Sequence, residues 1–76
     1  VYAIRSIESN YIYVGMTSNL LERLHRHNSG YERTTKPYAP FLLLYEEKCA
    51  DRLTARHREK YLKSGVGKEF LKSLEK

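Results

Sequence analysis

The chain has 76 residues, with 14 lysines and arginines against nine aspartates and glutamates, so its formal net charge is +5. A chain this short folds as one domain, here residues 1–76, and buries only roughly 60% of the surface of its unfolded form. Its single cysteine, Cys49, excludes an internal disulfide and a four-cysteine zinc site, which favours a reducing cytoplasm as the location. No apolar run approaches the roughly 20 residues of a membrane span, so we expect a soluble protein without a membrane partner.

The positive charge and the seven tyrosines favour nucleic acid as the partner. Lysine and arginine neutralise phosphates, and aromatic rings offer flat faces on which bases can stack. The alternative is a basic surface that only keeps a small domain in solution. Composition leaves both interpretations open.

The first two predicted elements are β-strands, at residues 1–7 and 11–16. Large and small side chains alternate in the first, and the second alternates strictly between two faces, one of which carries Tyr13. The link at residues 8–10 is short and consists of turn-prone residues, which predicts an antiparallel hairpin. The hairpin would place Tyr2 close to Tyr13.

A helix is predicted after the hairpin. Asn19 followed by Glu22 is the pattern of a capping box, and Gly30 marks the end of the helix. Arg23 and His27 lie four residues apart and border the apolar stripe of this helix, so we expect them to line a cleft. The stripe itself is predicted to consist of Leu20, Leu21 and Leu24.

The middle of the chain predicts a loop and a third strand. Residues 31–40 contain both prolines, several hydroxyl side chains and no apolar period, which is typical of a loop that can touch a ligand. Arg33, Lys36 and Tyr38 in it either contact a nucleic-acid backbone or face solvent. The apolar run from 41 to 45 is typical of a central strand covered on both faces.

The last third of the chain predicts two helices. A polar helix runs from Asp51 to about Lys63, and one of its faces carries Ala55, Arg58, Glu59 and Leu62. Residues 64–67 interrupt the chain, and a short final helix follows with an apolar edge of Phe70, Leu71 and Leu74. The predicted order is therefore β-β-α-β-α-α. This is an α/β protein of the α+β type, with a small three-stranded antiparallel sheet flanked by helices.

The tyrosines, cations and glutamate on these elements resemble the GIY-YIG nuclease domain. Val1-Tyr2 and Tyr13-Val14-Gly15 resemble its two strand motifs, Arg23 and His27 lie on the next helix, and residues 55–63 resemble the helix that carries its glutamate, here Glu59. The resemblance covers nearly the whole chain. It extends to small stand-alone bacterial members and to the amino-terminal domain of the repair nuclease UvrC.

The resemblance implies a metal-dependent endonuclease that hydrolyses phosphodiester bonds in nucleic acid, DNA more than RNA, in repair or recombination. Glu59 would hold Mg²⁺ or Mn²⁺. Tyr13 would activate the attacking water, and Arg23 would lower the pKa of that tyrosine and stabilise the phosphate. Tyr2 would be a hydrogen-bond partner or a second activator. His27 would relay a proton or hydrogen-bond a phosphate.

Each of these residues also has an interpretation without catalysis. Glu59 would pair with Arg56 or Arg58 on its own helix, and Arg23 would be a solvated helix cation. Tyr2 would be a cross-strand aromatic residue, and the histidine at position 27 would be a polar residue that closes its helix. A zinc site built from His25 and the histidine two residues later is not expected, because the two side chains do not face one another on a helix.

Two rival functions remain for the whole domain. One is a catalytically inactive nucleic-acid binding module on the same scaffold, which would bind without cleaving. The other is a small protein-interaction domain, which gives no reason for Tyr13, Arg23 and Glu59 to occur in this register. The sequence leaves open the oligomeric state and a protein partner that directs the domain to its target.

Overall fold

The computed structural model describes residues 1–75, which form three strands and three α-helices in the predicted order. The strands are β1 (Tyr2–Ser6), β2 (Ile12–Gly15) and β3 (Phe41–Glu46), and the helices are α1 (Leu20–Asn28), α2 (Arg52–Lys63) and α3 (Gly65–Ser73). A 3-10 turn, Lys36–Tyr38, lies between α1 and β3. The predicted fold class is confirmed. Within the described part, none of the helices is long and apolar enough to cross a membrane.

The sheet has the order β2-β1-β3, and both strand pairs are antiparallel. The predicted hairpin is confirmed, but the prediction that the apolar run at 41–45 is the central strand was wrong. That run forms β3 at an edge, where Leu42 and Leu43 are 60% and 43% exposed. An apolar run does not reveal which strand lies in the middle, and β1 occupies that position because it hydrogen-bonds to both neighbours.

Strand β1 divides the core into two clusters, because its side chains point alternately to the two faces of the sheet. Ala3 packs with Leu62 of α2 and Leu71 of α3 on one face. Tyr2 and Ile4 face the other side, where the partners are Phe41, Tyr13 and, from α1, Leu20 and Leu24. The sheet therefore lies between α1 on one face and the α2–α3 pair on the other.

Helix α1 begins and ends where its sequence predicts, but only half of the predicted capping box forms, because the Asn19 backbone N–H donates to the Thr17 hydroxyl and not to Glu22. The Asn19 side chain accepts a hydrogen bond from the Glu22 backbone N–H, and Gly30 follows the helix with a φ of 78°. The predicted apolar stripe was wrong at Leu21, which is 82% exposed. The buried face continues instead to His27, because residues seven apart lie two turns along the same face and Leu20 starts it.

Helices α2 and α3 meet at a sharp corner made by one residue. Ser64 is the N-cap of α3, with its hydroxyl accepting from the Gly67 backbone N–H, so the predicted interruption at 64–67 was too long. A Cβ at position 67 would overlap the Tyr61 carbonyl oxygen and the Leu62 backbone. Only glycine allows the two helices to approach this closely.

We predict that Gly67→Ala lowers the free energy of unfolding by about 1–3 kcal/mol, the usual cost of overpacking. Gly65→Ala is the matched control, because a Cβ there meets no atom within 4 Å and alanine is the better helix former. Urea unfolding followed by circular dichroism measures both. Equal midpoints for the two variants would contradict the close approach of the helices.

Candidate active site

Three of the five predicted site residues form one aromatic cluster on the α1 side of the sheet. The ring centroids of Tyr2 and Tyr13 are 6.3 Å apart, and those of Tyr13 and His27 are 5.0 Å apart. Strands β1 and β2 supply the two tyrosines, and the last turn of α1 supplies the histidine. The hairpin and the first helix therefore bring together residues up to 25 positions apart in the chain.

Gly15 makes room for this cluster. It pairs with Tyr2 across the β1–β2 ladder, and a Cβ added to it would lie 2.8 Å from the Tyr2 hydroxyl oxygen and 3.0 Å from Cε2 of Tyr13. Any side chain at this position would displace one of the two phenols. The glycine of the Tyr-Val-Gly motif is thus explained by the space that the two rings require.

A buried chain of hydrogen bonds runs from Tyr2 through His27 to Thr35. The Tyr2 hydroxyl lies 2.8 Å from Nε2 of His27, and Nδ1 of the same ring lies 2.7 Å from the Thr35 hydroxyl. His27 is 1% exposed, and both of its ring nitrogens have partners inside the protein. This geometry favours the proton-relay interpretation over a hydrogen bond from His27 to a phosphate.

Thr35 was not among the predicted site residues. It lies in the loop predicted at residues 31–40, and its exposed neighbour Thr34 is the same residue type. Thr35 is nevertheless fully buried, because the loop folds back over the end of α1. Nothing in the local sequence separates the two threonines, since only tertiary packing decides which hydroxyl meets His27.

Burial controls the protonation states in this cluster. It raises the pKa of the Tyr2 phenol well above the ordinary value, and Tyr13 adds to this effect while Arg23 opposes it. Burial also lowers the pKa of His27 below its ordinary value, against the influence of Glu32. At neutral pH both groups are therefore uncharged, and the hydrogen bond between them joins a phenol to an imidazole.

Tyr2 and Arg23 also line a cleft of about 740 Å³. Residues from the N-terminal ends of α1 and α2 and residues 46–49 contribute to its lining. Lys48 and Arg52 add positive charge to the lining, and three carboxylates interrupt it, namely Glu46, Glu47 and Asp51. The cleft therefore brings an arginine fork and a buried tyrosine to one surface that a ligand can reach.

Glu59 lies on α2, half-buried, and pairs with Lys63, whose Nζ is 3.3 Å from Oε2. The alternative pairing with Arg56 or Arg58 was wrong, because Arg58 binds Glu47 instead, with Nε 2.9 Å from Oε2. Burial and Tyr13 raise the pKa of Tyr2 most, and the negative charge of Glu59 raises it further. Glu59 and Arg23 thus act on the same hydroxyl with opposite signs.

The donor set around Glu59 fits a metal ion shared with a substrate. Among residues 1–75, no three or more histidines, cysteines, aspartates or glutamates cluster in a way that could enclose a metal. Mg²⁺ is commonly held by one or two carboxylates together with waters and substrate phosphate oxygens. A lone, half-buried carboxylate is compatible with that arrangement. It does not supply enough ligands for a site formed by the protein alone.

Comparison with known proteins agrees with these features. The sequence model of the GIY-YIG catalytic domain matches residues 1–72, which include all five candidate residues. The chain belongs to the GIY-YIG family. No solved structure gives a significant match to this GIY-YIG domain.

Two curated proteins are similar to this GIY-YIG domain. The UPF0213 protein of Desulfotalea psychrophila is 35% identical over 65 residues, which cover 83% of this chain and 58% of that protein. The UPF0213 protein of Staphylococcus haemolyticus is 32% identical over 76 residues, covering 99% of this chain and 92% of that protein. The chain thus spans little more than half the length of the first relative and nearly all of the second.

Membership of the GIY-YIG family points to a general class of function. The domain is of the nuclease type, a class of hydrolases, and nucleic acid is the partner that such a domain implies.

We predict that the free energy of unfolding falls as the pH drops below about 6.5, the ordinary pKa of histidine. Burial lowers the pKa of His27 in the folded chain, so below this pH the unfolded chain binds a proton that the folded chain does not bind. The contribution of His27 to the free energy of unfolding is complete above its pKa in the unfolded chain, and it declines as the pH falls toward its pKa in the folded chain. Urea unfolding at pH 7.5 and 5.5 measures the loss.

His27→Gln should lose this part of the pH dependence. His25→Gln changes an exposed histidine on the same helix and controls for the removal of a histidine. If His27→Gln retained the full dependence of the wild type, the buried histidine would not be its source.

Proposed function

We propose that this GIY-YIG domain is a metal-dependent endonuclease that hydrolyses phosphodiester bonds, with DNA preferred to RNA and a role in repair or recombination. The observation that carries the proposal is the joint position of Tyr2 and Arg23 in one cleft, with His27 directly behind the tyrosine hydroxyl. Phosphodiester hydrolysis needs an oriented water, a group that takes its proton and stabilisation of charge on the phosphoryl oxygens. The candidate residues supply these functions.

Arg23 is the residue proposed to bind the scissile phosphate. The planar guanidinium of an arginine can donate two parallel hydrogen bonds to phosphate oxygens. Arg23 lies in the first half of α1 and is half-exposed. It lines the cleft, where a ligand can reach it. Such a donor stabilises negative charge as it increases in the transition state.

Two tyrosines are proposed to act on the attacking water. Tyr13 is half-buried beside Tyr2 and would orient the water through its hydroxyl. Tyr2 faces the cleft and hydrogen-bonds to neutral His27, so it has a base behind it to which a proton can move. The two phenols therefore divide the work that one tyrosine with a pKa of about 10 performs poorly at neutral pH.

Glu59 is the proposed ligand of Mg²⁺ or Mn²⁺. A bound ion would supply Lewis-acid stabilisation of the phosphoryl oxygens. Lys63 restricts the position of the Glu59 carboxylate through their ion pair on successive turns of α2. The half-buried Glu59 carboxylate is thus held in a defined position, where we propose that it binds the metal ion.

We predict that Glu59→Gln lowers metal-dependent cleavage by at least about 100-fold, the usual loss when a group that stabilises transition-state charge is removed. Glu69→Gln, an exposed carboxylate on α3, is the matched control and should cleave like the wild type. The substrates are end-labelled single-stranded, duplex, flapped and branched DNA and RNA, with Mg²⁺, Mn²⁺ or chelator.

Circular dichroism verifies that both variants are folded. Cleavage that survives in chelator, or in Glu59→Gln at the rate of the wild type, would refute the proposed role of the metal. Binding without cleavage in every metal would instead indicate the inactive binding module.

A stripe of cations on α2 supports nucleic acid as the substrate. It consists of four exposed side chains on neighbouring turns, Arg52, Arg56, Lys60 and Lys63. Four helical residues advance by about 6 Å, so the stripe presents a regular row of positive charges. On the helix this row lies next to Glu59, and its first residue lines the cleft. A phosphate backbone that follows the stripe would reach the proposed metal ligand.

We predict that the double variant Arg56→Ala, Lys60→Ala binds DNA more weakly and with a shallower salt dependence, by about one unit of slope for each lost phosphate contact. The control is Lys68→Ala, Lys72→Ala, which removes the same charge from exposed positions on α3. Fluorescence anisotropy across a salt series measures both. Equal losses in the two variants would show that net charge, and not the stripe, governs binding.

A further inference from the structure

Thr35 is a fully buried hydroxyl that belongs to no motif of the sequence. It lies in the turn before β3, where its backbone N–H donates to the Glu32 carbonyl at 3.1 Å and its own carbonyl accepts from Tyr38 at 2.9 Å. The turn therefore holds the hydroxyl at a defined place against Nδ1 of His27, at 2.7 Å. A buried hydroxyl held in this way has a fixed hydrogen-bond partner, and its hydrogen has a fixed orientation.

The acceptor available to the Thr35 hydroxyl decides the directions of the hydrogen bonds in the Tyr2–His27–Thr35 chain. The Thr35 hydroxyl oxygen lies 3.4 Å from the Glu32 carbonyl oxygen, which can only accept. If Thr35 donates there, it accepts from Nδ1–H of His27, and Nε2 accepts from the Tyr2 hydroxyl. Each of the three donors then has an acceptor inside the protein.

The opposite direction satisfies fewer buried groups. If Thr35 donated to Nδ1, the ring would donate from Nε2 to the Tyr2 oxygen, and the phenol hydrogen would have to find an acceptor in the cleft. Tyr2 is almost completely buried, so that hydrogen would depend on a ligand or water for its only partner. Burial favours the arrangement in which every donor is paired internally.

We propose that Thr35 is a positioning residue that fixes His27 as the Nδ1–H tautomer, so that the Tyr2 hydrogen points at His27 and the Tyr2 oxygen presents its lone pairs to the cleft.

The consequence for hydrolysis rests on the proposed function, whereas the tautomer does not. The attacking water gives a proton to the Tyr2 oxygen while the original Tyr2 hydrogen moves to Nε2 of His27, which becomes imidazolium and keeps Nδ1–H on Thr35. The hydroxide forms a bond to phosphorus, the phosphorus bond to the leaving sugar oxygen breaks, and that oxygen takes a proton from solvent. The imidazolium then returns its extra proton to solvent through Tyr2, which restores the starting state.

The tautomer can be observed directly by long-range ¹H–¹⁵N NMR correlation of the histidine ring at neutral pH. We expect wild-type His27 to show a protonated Nδ1 and an unprotonated Nε2. Thr35→Val removes the acceptor and should shift the ring toward the Nε2–H form, while Thr35→Ser retains the hydroxyl and should keep the wild-type pattern. Thr34→Val, at the exposed neighbouring position, is the matched control.

A protonated Nε2 in the wild type would overturn the proposal, and so would an unchanged Nδ1–H signal in Thr35→Val. The wild-type spectrum decides the tautomer even if Thr35→Val does not fold. In the cleavage assay, Thr35→Val should lower kcat by at least about 100-fold, the lower end of what positioned proton transfer contributes, and leave KM unchanged. Thr35→Ser should restore kcat. Absence of cleavage by the wild type would refute the proposed function and leave the NMR result to decide the tautomer.

Discussion

Both cores of this domain depend on the central strand β1. Because its side chains alternate between the two faces, one set of residues joins α2 and α3 in an apolar cluster while Tyr2 and Ile4 face α1. In so small a domain neither face of the sheet can be left uncovered, since apolar burial is limited. The tyrosine of the candidate site is therefore also a residue of the core, and its hydroxyl is buried with it.

The buried phenol imposes a second constraint, because a polar group in the core must be hydrogen-bonded. His27 satisfies the hydroxyl of Tyr2, and Thr35 satisfies the second nitrogen of the ring. The loop that carries Thr35 is fixed in turn by the Ser6 hydroxyl, which donates to the Tyr38 carbonyl at 2.6 Å. The position of the loop and the hydrogen bonds of the candidate site are thus linked.

Local physics made part of this structure predictable. The cap at Asn19, the end of α1 before Gly30 and the hairpin follow from residue chemistry over a few positions, and they appear as predicted. The edge position of β3 did not follow, because an apolar run has the same composition in a central and in an edge strand. His27 was predicted at the border of the apolar stripe because histidine counts as a polar residue. Its ring is nevertheless buried, and two hydrogen bonds satisfy its nitrogens.

The balance of charges around Tyr2 decides what kind of catalyst the proposed site can be. Burial outweighs the opposing effect of Arg23, so the phenol keeps its proton at neutral pH. A neutral phenol hydrogen-bonded to a neutral imidazole can pass a proton along the pair without first forming a phenolate. Arg23 is then not required to stabilise an ionised tyrosine, and its full charge is available to a phosphate in the cleft. The proposed mechanism therefore separates proton transfer from charge stabilisation and assigns them to different side chains.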